Sequence, residues 1–275
     1  MSITELGGAA LEVRIAPTEQ RLDLQTYTTI LSEVRRTLDE IDHIAIPRRT
    51  PRLNWAIREL KMDREVRMVL VPKVVPVRRE LSSLSIPTDG LVSGVLSLSR
   101  EAQIPAYFSD STVRRIGQIG KYVSTGEVDH VSVASMHLSS ETAVVDQGTA
   151  LNAGRAIEAV KKAFSSISGT LEILEHRRSG QPRAFIRVHG LSHGVRIEAN
   201  AGQTDTLRQA WGSKVLAEGL LKRNIVGQPI SLELASLEVV AEAGSSLSPW
   251  ELLGIDPDFT GGLSTADFIE QVRRG

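Results

Sequence analysis

From Ser168 onward the apolar residues recur at every second position, and this change of period constrains the fold more than any other feature of the chain. The strand-like runs are 169–175, 184–188, 194–199, 214–221 and 230–240, with a short helical stretch, 206–212, before the fourth. Ser179-Gly180, His189-Gly190 and Gly227-Gln228 supply turns. Five short strands with a helix between the third and fourth is the order of an OB-like small barrel.

The residues before that point mix periods. Residues 10–16 alternate and predict a strand. Asp23 caps a helix whose apolar positions, Leu24, Tyr27, Leu31, Val34, Leu38, Ile41 and Ala45, are spaced 3,4,3,4,3,4. Such a narrow stripe docks on its own sheet or pairs with a second copy, so a homo-oligomer is open. Residues 53–60 and 65–71 predict a hairpin across a polar turn. Helices are predicted over 88–101 and from a cap at Ser109 or Asp110 to about Ser124, the latter with Gly117 and Gly120 on a face suited to close packing. Strands at 128–134 and 141–145 follow. A helix is then predicted over 150–164, with Leu151, Ile157, Val160 and Phe164 on one side. The expected class is α+β: a mixed α/β-sheet domain (1–165), a five-stranded OB-like β-barrel (168–242) and a helical C-terminal arm (247–275).

Composition narrows the function classes. The 275 residues are 41% hydrophobic and 24% charged, as in a soluble globular protein. A net charge of −1 gives no global pull toward nucleic acid or membrane. Cysteine is absent, which excludes disulfides and thiolate chemistry and fits a reducing cytoplasm. The start, M-S-I-T-E-L-G-G, has neither a basic region nor an apolar core, so no signal peptide is expected. No apolar run reaches the roughly 18–20 residues of a membrane helix.

Catalytic motifs are lacking: there is no G-x-S-x-G, P-loop or H-E-x-x-H, and Gly117-x-x-Gly120 lies in a predicted helix. The chain is therefore expected not to be an enzyme and to need no cofactor. His189 and His193 flank one loop, without an evident third ligand. Arg177, Arg178, Arg183, Lys222 and Arg223 fall in or beside barrel loops, where OB-like domains track a nucleic-acid backbone. Phe185 is the one aromatic expected on a barrel strand, too little for a stacking platform.

Residues 247–275 carry the most specific lead. Ser248, Pro249 and Glu251 form a helix start with a capping box, Gly254 a stop, and Ser264 with Asp267 a second start. Trp250, Leu252, Leu253, Phe259, Phe268, Ile269 and Val272 are more apolar surface than so short a segment buries by itself. They pack on the parent domain or on another protein. Two amphipathic helices on a Gly-Gly hinge suit a partner groove, with Trp250, Leu253, Phe259 and Phe268 as anchors.

The run S-P-W-E-L-L-G-I-D-P-D-F-T-G-G-L-S-T-A-D-F-I-E-Q-V-R-R resembles the C-terminal arms of antitoxins that neutralise PIN-domain ribonuclease toxins. The resemblance implies an arm that wraps a toxin and blocks its acidic active site, with Arg273 or Arg274 reaching the toxin's carboxylates. It does not extend to the rest of the chain, which has no short N-terminal DNA-binding ribbon or helix-turn-helix. The expected function is neutralisation of a protein partner, such as a nuclease toxin, through the arm. The alternative is single-stranded nucleic-acid binding on the barrel face.

Overall fold

The computed structural model describes residues 9–19, 23–46, 50–73, 79–137, 141–176, 182–188 and 190–240, with the backbone alone at 173–176, 182 and 183. The chain divides into two compact units, Met1–Val240 and Ala241–Gly275. The expected helices of 247–275 lie outside the described residues. The first unit is mixed α+β and holds two sheets.

The first sheet has five antiparallel strands: β1 (Leu11–Pro17), β2 (Trp55–Met62), β3 (Val66–Pro72), β4 (Val128–Ser135) and β5 (Thr142–Val145), in the order β2-β3-β1-β4-β5. Its inner face presents Leu11, Val13 and Ile15 beside Met68, Leu70, Val131 and Val133. These form one core with four helices: α1 (Leu24–Ala45), α2 (Ile86–Arg100), α3 (Asp110–Ser124) and α4 (Gln147–Ala156). The stripe on α1 docks within its own domain. Val34, Leu38 and Ile41 are buried in the core together with Ile30, whereas Leu24 is exposed. Asp23 caps α1 by accepting the Thr26 N–H at 3.0 Å. Ser109 caps α3 in a reciprocal pair with Thr112. The glycine face of α3 packs on α4, for a Cβ on Gly120 would stand 2.5 Å from the Ala150 Cβ.

One element differs from the sequence expectation. The helix predicted over 150–164 ends at Ala156, and β6 (Lys161–His176) begins after a four-residue connection. Of the residues whose spacing suggested a helical face, Ile157 packs partly buried against the core, whereas Leu151, Val160 and Phe164 are exposed. The outcome is decided by a distant partner, because residues 161–170 pair in register with 214–223. Ser165, Ser166 and Ser168 also favour helices little.

The second sheet is a closed barrel of β6, β7 (Pro182–Val188), β8 (Gly194–Glu198), β9 (Lys214–Arg223) and β10 (Pro229–Val239), in the ring order β10-β8-β7-β6-β9. All pairs are antiparallel except β8 with β10. This is the OB-like order expected. Helix α5 (Thr204–Gln209) sits between the third and fourth barrel strands and inserts Leu207 into the barrel core. Among the described residues no helix is long and apolar enough to cross a membrane.

Polar bonds join the sheet domain to the barrel. The Gln228 side chain accepts the Ile104 N–H at 2.8 Å and donates to the Ile104 carbonyl at 3.1 Å. Asn224 donates to the Ala156 carbonyl at 3.0 Å. The Tyr107 N–H reaches the Ser192 carbonyl at 2.6 Å, and the Gly194 N–H reaches the Phe108 carbonyl at 3.0 Å.

Candidate functional site

OB-like barrels bind extended ligands on the outer face of their second and third strands. Here those strands are β7 and β8. Ala184, Ile186, Val195 and Ile197 point into the barrel core, so Phe185, Arg187 and Arg196 lie on the outer face. That face is occupied by the chain itself. Phe185 is 3% exposed, and Arg196 Nε lies 3.0 Å from the carboxylate of Asp110, the first residue of α3. Asp110 suits the place, since a carboxylate is favoured at a helix N-terminus. Glu40 on α1 accepts from the Ser109 and Ser111 hydroxyls and from Arg115, which ties α1 to the start of α3.

The charges continue around the barrel. Arg196 Nη1 meets Glu198 at 2.6 Å, and Lys222 Nζ meets Glu198 at 3.3 Å and Glu233 at 2.5 Å. The hydrogen bond from Lys222 holds the Glu233 carboxyl below its usual range, and the same bond raises Lys222. Of the basic residues predicted to meet nucleic acid, Lys222 is thus engaged by two carboxylates, and Arg223 donates to the Gly227 carbonyl at 2.9 Å. Lys222 and Arg223 pair in register with Lys162 and Lys161, near the start of β6. Arg177 and Arg178 follow its last residue and lie outside the described residues, as does the side chain of Arg183.

One barrel residue is hidden in the sequence by the helical spacing of 150–164. Phe164 lies on β6 and is 70% exposed, with Lys162 two positions before it on the same face. The barrel therefore carries two aromatics on its strands, one buried and one open. Trp250, Leu253, Phe259, Phe268, Arg273 and Arg274, predicted to bind a partner, all lie outside the described residues.

A cleft of about 430 Å³ opens beside α2, walled by residues 105–107. Asp89 stands at its edge. One carboxylate oxygen accepts the Ser135 hydroxyl at 2.5 Å, and the other lies 3.0 Å from His137 Nδ1. The floor is small, made by Gly90, Ser93, Gly94 and Ser97. Tyr107, at φ +62°, forms the wall. Sequence reasoning missed this cleft. A left-handed tyrosine has no local signature. Among the described residues no group of three or more His, Cys, Asp and Glu is arranged to hold a metal ion.

The loop that ties down Tyr107 contains His193, which is 2% exposed, with Nε2 3.2 Å from the Pro229 carbonyl oxygen. His189 lies outside the described residues. Burial pushes the His193 imidazole below its ordinary value of 6.5, and the bond to Pro229 offsets this only in part. The fold favours the neutral ring, while the unfolded chain takes up a proton near 6.5. The stability so contributed is complete above about pH 6.5 and is lost as pH falls toward the folded-state value. Each unit of separation is worth about 1.4 kcal/mol. His193→Gln keeps a donor for Pro229 and removes the titration. Its urea midpoint is expected to fall less steeply than that of the parent between pH 6.5 and 5, and parallel curves would show that His193 does not contribute.

No known protein family and no curated protein matches the sequence. Among solved structures, the chain is similar to that of RecG bound to a three-way DNA junction, at 18% identity and a TM-score of 0.22. The match covers 31% of this chain and 12% of that chain. A likeness at that score does not define a common fold.

Proposed function

We propose that the chain is a non-catalytic binding protein of the antitoxin or immunity kind, which neutralises a protein partner through residues 247–275. The observation that carries this reading is the arm's own sequence: an apolar, doubly capped segment that follows the compact unit ending at Val240. Its resemblance to the arms that bind PIN-domain nucleases gives the partner class. The use of the β7–β8 face by the chain's own helices adds support, since it removes the usual ligand surface of such a barrel. In this reading Trp250, Leu253, Phe259 and Phe268 anchor the arm, and Arg273 or Arg274 reaches acidic groups of the partner.

Trp250→Ala combined with Phe259→Ala tests it. Aromatic anchors at interface centres each contribute about 2 kcal/mol or more, roughly 30-fold in affinity. Partner retention in a pull-down is expected to vanish while the melting temperature stays that of the parent. Undiminished retention would remove the arm from the interface.

Single-stranded nucleic-acid binding is the second reading, and one observation favours it: the open ring of Phe164, with Lys162 on the same face of the strand. Salt separates the two, because backbone-driven binding weakens steeply with added salt and an apolar arm does not.

A further inference from the structure

We infer that the cleft beside α2 is a binding site for a small organic cation of the alkyl- or aryl-ammonium class. The site is distinct from the barrel face.

Three features of the cleft point the same way. The first is its size. At about 430 Å³ it falls within the roughly 300–1,000 Å³ of small-molecule sites. The second is its charge. Asp89 is the only charged side chain among the described lining residues, with the Ser93 and Ser97 hydroxyls nearby. The Asp89 carboxylate is held in place by Ser135 and faces His137. A carboxylate offers about four acceptor positions, so two such neighbours leave it capacity for a ligand donor.

The third feature is Tyr107. Its φ of +62° is strained for a residue with a Cβ and free for glycine. The conformation is imposed by the bond from its N–H to Ser192 and by the 105–108 turn. A glycine would satisfy both, yet the chain places a tyrosine there and leaves it 40% exposed. The ring stands over Gly90, with Cδ2 3.6 Å from the point a Cβ on Gly90 would occupy. A Cβ there would touch the ring at ordinary van der Waals distance, and its tighter neighbour would be Ile41 Cγ2 at 3.0 Å on the core side, so the glycine keeps the helix close to the core beneath the ring. A carboxylate and an accessible aromatic ring lining one cleft, with no Lys or Arg among its described lining residues, is the chemistry that recognises an ammonium group.

The test uses the full chain, titrated with phenethylammonium chloride by calorimetry, with 2-phenylethanol as an uncharged control of the same shape. Saturable binding of the amine and none of the alcohol is expected. Asp89→Asn should weaken binding on the order of tenfold, as loss of a charge-assisted contact does. Tyr107→Gly should weaken it similarly while melting no lower than the parent, because the strain is relieved. Three results would overturn the inference: no saturable binding, equal affinity for the alcohol, or unchanged affinity in both variants. If Asp89→Asn fails to fold, Tyr107→Gly alone decides.

Discussion

Arg79→Ala is expected to lower the unfolding free energy of the Met1–Val240 unit by about 3–5 kcal/mol, the loss seen when one partner of a buried ion pair is removed. Arg79 and Asp42 have side-chain exposures of 0% and 1%. The guanidinium meets both carboxylate oxygens, at 2.6 and 3.1 Å, and donates to the carbonyls of Pro51 and Ser83. Asp42 also accepts the Leu53 N–H at 3.2 Å. The pair thus ties the end of α1 to the segments on either side of the β2–β3 hairpin. Without Arg79, Asp42 is left as an uncompensated charge in the interior. The exposed pair Arg35–Asp39 is a control, for its loss should cost no more than about 0.5 kcal/mol. Urea unfolding checks both. Replacing the two partners together, Asp42→Leu with Arg79→Met, should recover much of the loss, since the desolvation penalty goes with the charges. A cost below about 1 kcal/mol for Arg79→Ala would mean that this junction does not stabilise the fold.

Phe108→Ala should cost a similar amount, about 3–5 kcal/mol, by loss of transfer energy and by the cavity left behind. The ring is fully buried, and it sits where α2 comes closest: a Cβ on Gly94 would stand 2.2 Å from its Cζ. The backbone of the same residue accepts from Gly194 of the barrel. Loss of the ring therefore empties the core at a place where the two sheets' elements are joined. Gly94→Ala is expected to destabilise by about 1–3 kcal/mol through overpacking. Combined with Phe108→Leu it should cost less than the two single changes summed, because the smaller side chain makes room. Strict additivity would show that the two residues do not share the site.

The parts of the fold legible in the sequence are those set by local chemistry. The cap at Ser109 and the end of α3 near Ser124 follow from capping and period alone. The barrel follows from the order of its strands and the position of α5, although its closure depends on β8 and β10, which are parallel and distant in sequence. The α4–β6 boundary is not legible locally, because Leu151, Ile157, Val160 and Phe164 fit a helical face as well as a strand, and pairing with β9 chooses between them. The same ambiguity hides Phe164 as an exposed barrel aromatic. Asp42 and Arg79 are 37 positions apart, and nothing local to either announces the pair. Tyr107 is marked by a backbone angle that tertiary bonds impose, so the cleft became visible only with the fold.

Residues 247–275 carry the central claim, and co-purification tests it most directly. The full chain and a 1–246 truncation would each be recovered from the native cell, and the proteins and nucleic acids that accompany them identified. A protein partner, such as a small acidic-site nuclease, is predicted with the full chain and not with the truncation, both forms melting at the same temperature. Recovery of the same partner with both, or of nucleic acid with both and no protein, would contradict the claim.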